Sequence, residues 1–114
     1  AAVANIKEFL NPKWLEKVEL ISNVHRERLH NLKSAIALAD KRQCATIAAV
    51  ELETAEPGYL NTLGQRIADE LFKKNIFVRP LGNVVYLMPP YCITESELHY
   101  LWDQIERALQ TAQI

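Results

Sequence analysis

Two apolar runs around a short glycine-bearing turn, closed by a double proline and followed by a helix-capping sequence, constrain this chain most. The first run is Ile76, Phe77 and Val78, ending at Arg79 and Pro80. The second is Val84, Val85, Tyr86, Leu87 and Met88. Runs of this kind bounded by Gly, Asn and Pro read as strands, and the Leu81-Gly82-Asn83 turn between them predicts a hairpin. Pro80 has no amide to donate, so it belongs at a strand end or edge. Pro89 and Pro90 stop the second strand. Thr94-Glu95-Ser96-Glu97 is then a capping box, in which Thr94 and Glu97 satisfy each other's orphan amides. Leu98, Leu101, Trp102, Ile105 and Leu109 continue at spacings of three and four, the stripe of a last amphipathic helix.

The same reading extends upstream. Val3, Ile6 and Leu10, flanked by Ala2 and Phe9, predict a helix over 1–10. It has no capping residue in front of it, so we expect a chain continuing from a preceding segment. Asn11 and Pro12 suit an N-cap and a first helical position. Trp14, Val18, Ile21, His25, Leu29, Leu32 and Ile36 then form one stripe, predicting a helix over 12–39 of roughly 40 Å. The small and β-branched residues of 45–52 predict a strand, and Glu56-Pro57-Gly58 a turn. Leu60, Leu63, Ile67 and Leu71 return to helical spacing, with Asn75 as a left-handed stop. The expectation is an α+β fold, a sheet of three or four strands with helices on one face. Connecting helices occupy 1–40 and the α+β domain 41–114.

Several function classes are disfavoured. Among 114 residues, thirteen Lys and Arg balance fourteen Asp and Glu, so a basic nucleic-acid stripe is not expected. No apolar run is long enough for a membrane span, and no leader segment is visible. Cys44 and Cys92 are too few for a disulfide framework and are expected to be buried thiols of a cytoplasmic protein. His25, His30 and His99 do not share a face, so packing is expected of them rather than metal ligation. No phosphate loop, nucleophile elbow or zinc-protease motif is present.

One residue stands apart. Arg79 lies in a stretch apolar enough to be buried, and a buried guanidinium needs a carboxylate partner. It would pair with an internal acid such as Glu51, face water on an edge strand, or grip a substrate carboxylate bidentately. Tyr86, seven residues on, could share its side of the hairpin, or be an aromatic core residue.

The run from Asn75 to Tyr91, above all Arg79-Pro80, the turn, and Val85-Tyr86-Leu87-Met88-Pro89-Pro90-Tyr91, closely resembles the C-terminal region of the adenosylmethionine–8-amino-7-oxononanoate aminotransferases. These are class III pyridoxal-phosphate aminotransferases. A weaker likeness runs through Arg42, Ile47 and Glu51 to cover essentially the whole chain. The resemblance implies the small C-terminal domain of a fold type I enzyme. It implies a homodimer whose large domain carries pyridoxal phosphate, its lysine and its phosphate site, all upstream of Ala1. No catalytic or cofactor-binding residue is therefore expected in this chain, which would be inactive alone. It implies amino transfer from S-adenosylmethionine to 8-amino-7-oxononanoate, giving 7,8-diaminononanoate in biotin biosynthesis. It assigns Arg79 to the substrate carboxylate and Tyr86 to the same pocket. Relatives tend to carry glycine where this chain has Ala45 and Ala48, which puts the local strand geometry in question. Apart from the resemblance, a self-standing module binding a small carboxylate, or an interaction domain docking through its long helix, would also fit.

Overall fold

The computed structural model describes residues 1–112 except Pro57 and Tyr59. Its elements are α1 (Ala2–Phe9), α2 (Lys13–His30), β1 (Leu38–Cys44), β2 (Ile47–Leu52), α3 (Leu63–Phe72), β3 (Val84–Leu87) and α4 (Glu95–Thr111). The strands form one antiparallel sheet in the order β1-β2-β3. This is the expected α+β layer. No described helix is long and apolar enough to cross a membrane.

The sheet has a covered face and an open one, set by alternation along each strand. Ala48, Val50 and Leu52 of β2 and Val85 and Leu87 of β3 point into a core shared with α2, α3 and α4. The helices answer with Ile21 and Leu29, Ile67 and Leu71, and Leu98, Trp102, Ile105 and Leu109. Ala49, Glu51, Val84 and Tyr86 alternate to the other face and remain half-exposed.

The last helix begins as its sequence dictates. Thr94 Oγ1 accepts from the Glu97 amide at 3.2 Å, and Glu97 Oε2 accepts from the Thr94 amide at 3.1 Å. Asn75 stops the segment after α3 at φ 62°. The Leu81–Val84 turn is a two-residue loop closed by reciprocal backbone bonds of 2.8 and 2.9 Å, with Gly82 at φ 60° in its first position.

Four expectations are corrected. The long helix ends at His30 rather than running to residue 39, and Ile36 is buried from a loop. There Ser34 Oγ takes over the local bonding, accepting from the Ile36 amide and donating to the Ile36 carbonyl. Where that helix was expected to finish, β1 begins instead, and the strand expected over 45–52 starts at Ile47 because Ala45 and Thr46 form the β1–β2 turn. Residues 76–80 run extended but join no ladder; pairing reaches only to Leu81, beside the proline that has no amide to give. Cys44 and Cys92 are exposed, not buried, because one closes β1 and the other lies in the loop before α4. Of the placements left open for Arg79 the structure gives an exposed one, since alternation in the extended segment turns Ile76 and Val78 inward and Phe77 and Arg79 outward. The turn expected at Glu56-Pro57-Gly58 includes Pro57, which lies outside the described residues. α1 forms as expected, but its stripe is uncovered: Val3, Ile6, Phe9 and Leu10 are all exposed.

Ala45 occupies the left-handed region, φ 51°, a conformation that suits glycine and strains a residue with a Cβ. Ala48 has no such strain; its methyl is part of the core.

Candidate functional site

β3 and the extended segment before it bring the two residues singled out in the sequence to one place. Tyr86 leaves β3 on the open face, opposite Ala49 of β2, which in turn lies opposite Arg42 of β1. Arg79 and Tyr86 together line two clefts. One, of about 340 Å³, is walled by Phe77, Val78, Leu87, Met88, Pro89, Pro90, Ile93 and Leu101 and is apolar apart from the arginine and tyrosine. The other, of about 460 Å³, adds Asn61, Thr62 and Gln65 from the start of α3, with Leu60 and the 80–82 turn. Arg79 thus stands where an apolar groove meets a polar one.

Among the described residues Arg79 makes no salt bridge and no side-chain hydrogen bond, which leaves its fork of donors available. Glu51, the internal acid considered for it, is engaged elsewhere. Arg42 Nη1 reaches Glu51 Oε2 at 2.7 Å and Asp40 Oδ2 at 2.9 Å. Hydrogen bonds to these carboxylates raise the Arg42 pKa above its already high value. The Arg42 guanidinium, helped by the Lys41 amide, holds the Asp40 carboxyl below the usual carboxylate range. Two guanidinium groups therefore serve this side of the sheet, one saturated by carboxylates and one open.

Sequence reading missed the Arg42–Asp40–Glu51 group and the polar wall of Asn61, Thr62 and Gln65. β1 reads Leu-Ala-Asp-Lys-Arg-Gln-Cys and shows no apolar alternation to mark it as a strand. Its helix-facing residues are polar yet satisfied: Lys41 Nζ donates to the Leu29 carbonyl at 2.9 Å, and Gln43 Nε2 to the Ser22 carbonyl at 2.6 Å. The first adds to the long 3.4 Å bond that the Leu29 carbonyl accepts from the Leu32 amide at the end of α2, where a cation is also favoured by the helix dipole. The usable signal was the alternation Asp40, Arg42 against Lys41, Gln43, which is charge pattern rather than hydropathy.

The histidines are not brought together. His25 is enclosed between α2, α4 and the β1–β2 turn, while His30 is exposed and His99 lies on α4 beside Arg28. Among the described residues no cluster of three or more His, Cys, Asp or Glu could hold a metal ion.

Comparison with known proteins gives this arrangement a family. The Aminotransferase class-III family model matches residues 1–109. The adenosylmethionine-8-amino-7-oxononanoate aminotransferase of Methanocaldococcus jannaschii is 34% identical over 100% of this chain and 26% of its own length. The enzyme of the same name from Geobacter sulfurreducens is 35% identical over 96% of this chain and 25% of its own. The crystal structure of the M. jannaschii enzyme superposes with a TM-score of 0.87 at 30% identity, covering 99% of this chain and 27% of that one. An omega-transferase from Vibrio fluvialis matches at a TM-score of 0.82 and 27% identity, over 95% and 27% of the two chains. The chain thus spans about a quarter of the length of the curated relatives it matches. With the family pattern running from Ala1 into α4, this chain belongs to the class III aminotransferases.

Proposed function

We propose that this chain is the small C-terminal domain of a pyridoxal-phosphate-dependent aminotransferase of biotin biosynthesis, and that Arg79 holds the carboxylate of its keto-acid substrate. The reaction is transfer of an amino group from S-adenosylmethionine to 8-amino-7-oxononanoate, after the relatives whose names state that activity. A large domain of the same polypeptide supplies the rest of the site, residues 1–40 carry the connection to it, and the working unit is a cytoplasmic homodimer. One observation carries the reading: an exposed arginine without a side-chain partner among the described residues, at the junction of an apolar groove and a polar one.

The acceptor suits that junction chemically. Its carboxylate is separated from the reacting carbonyl by a hydrocarbon chain, so one end wants a guanidinium and the middle wants apolar walls. Phe77, Met88 and Pro90 offer such walls beside Arg79. Fixing the remote end lets the carbonyl meet the amine in a productive orientation, which is catalysis by positioning. Tyr86 lines both clefts, and its hydroxyl would orient a polar group beside the guanidinium. S-Adenosylmethionine also carries a carboxylate, so Arg79 would serve both half-reactions.

Neither cleft is lined by a lysine among the described residues. Lys41 is bonded to α2, and Lys73 is paired with Glu70, which raises its pKa, the opposite of what a nucleophilic amine needs. The lysine that holds pyridoxal phosphate would come from the large domain of the enzyme.

The test is Arg79→Lys in the complete enzyme. Lysine keeps the charge but not the bidentate fork, so KM for the keto acid should rise about tenfold. Unchanged steady-state constants would remove Arg79 from the site.

A further inference from the structure

The 76–80 segment that carries Arg79 belongs to no sheet ladder, so something other than β-pairing must fix where the guanidinium stands. At its start the Ile76 amide donates to the Leu71 carbonyl at 3.1 Å. At its end the chain turns through Gly82, and there it meets the first turn of α3. The Gly64 amide donates to the Gly82 carbonyl at 3.0 Å. Gly64 is also buried there without a side chain, and the fit leaves room for none: a Cβ at this position would lie 2.4 Å from Gly82 O and 3.0 Å from Pro80 Cβ. The first distance is far inside van der Waals contact, and the obstructing atom is backbone.

From this contact we propose that Gly64 is the positioning residue for Arg79, seating the 80–82 turn directly on α3 so that the guanidinium faces both clefts. The inference rests on the carboxylate-binding role of Arg79 given above. Any side chain at 64 must lift the 80–82 backbone away from α3. Pro80 is joined to the Arg79 carbonyl and confines Arg79 to extended backbone angles, so Arg79 cannot absorb the shift by rotating its own ψ. The displacement reaches the guanidinium. The same turn of α3 contributes Thr62 and Gln65 to the polar cleft, so one short segment both seats the arginine and forms the wall opposite it.

The experiment is a double-mutant cycle in the complete enzyme with Gly64→Ala and Arg79→Ala. The readout is the preference for the keto acid over its neutral methyl ester, taken as a ratio of kcat/KM values. Gly64→Ala should lower that preference about tenfold, mainly through KM of the acid, because small misplacements of a positioning group are expensive. In the Arg79→Ala background it should lower it no further. Equal losses on acid and ester, or the same loss with and without Arg79, would make Gly64 a structural residue only and overturn the proposal. If Arg79→Ala leaves the preference intact, the carboxylate-binding reading itself fails, an outcome distinct from an effect of Arg79 without one of Gly64. Pro80→Ala loosens the same seat from the other side and covers the case in which Gly64→Ala does not fold. It should also lower the acid preference, and equal losses on both substrates would again overturn the proposal.

Discussion

His25 couples the stability of this domain to pH in a direction its surroundings dictate. The ring is fully enclosed. The Trp102 indole N–H donates to Nδ1 at 3.0 Å, so Nδ1 must be the unprotonated nitrogen. Nε2 then carries the hydrogen and donates to the Thr46 carbonyl at 2.9 Å. The imidazole thus ties α2, α4 and the β1–β2 turn together, but only while neutral: a proton on Nδ1 would oppose the indole N–H. Burial pushes the pKa below its ordinary value of 6.5, and the bond to Thr46 offsets this only in part. In the unfolded chain the ring titrates near its ordinary value. Below that pH the unfolded state therefore binds a proton that the native state refuses, and stability falls as pH falls. The loss continues until the lowered native pKa is passed. The slope approaches about 1.4 kcal/mol per pH unit, and above the ordinary value the contribution is constant. His25→Gln offers a control, because an amide can accept from Trp102 and donate to Thr46 at any pH. Native-state hydrogen exchange in peptides from α2 and α4, corrected for intrinsic rates, reports the opening free energy without requiring the whole enzyme to unfold. Protection should drop between about pH 7 and about pH 5 in the parent protein and much less in His25→Gln. An equal drop in both would show that His25 is not the group responsible.

Two further outcomes follow from the backbone. Ala45→Gly should stabilise the domain by about 1 kcal/mol, because φ 51° strains an alanine and not a glycine; a lower melting temperature would show that the turn does not hold this strain. Thr94→Ala removes the acceptor for the Glu97 amide and should lower stability by about 1 kcal/mol, with exchange rising first in the initial turn of α4; unchanged protection there would mean that the capping box contributes nothing.

What was legible in the sequence is what local forces decide. The capping box, the stripe of α4, the left-handed stop at Asn75 and the tight turn at Gly82 each depend on residues within a few positions of one another. All stand where the sequence puts them. Arg79 was conspicuous for a similar reason, a charge set among apolar neighbours, although it proves to stand at the surface rather than within the core. β1 was hidden because its stability is not local. Lys41 and Gln43 are tolerable on the covered side only because carbonyls of α2 lie within reach, and no hydropathy pattern can announce that. The end of α2 was hidden because Leu32 and Ile36 keep helical spacing while Ser34 draws the backbone into a local turn. The sequence by itself determined the α+β class, the hairpin turn before β3 and the presence of an unusual arginine. Only the tertiary structure decided that Arg79 faces outward, that Glu51 belongs to Arg42, and that the arginine's loop rests on a glycine of α3. These depend on which backbone atoms, distant in sequence, come within a few ångströms of each other.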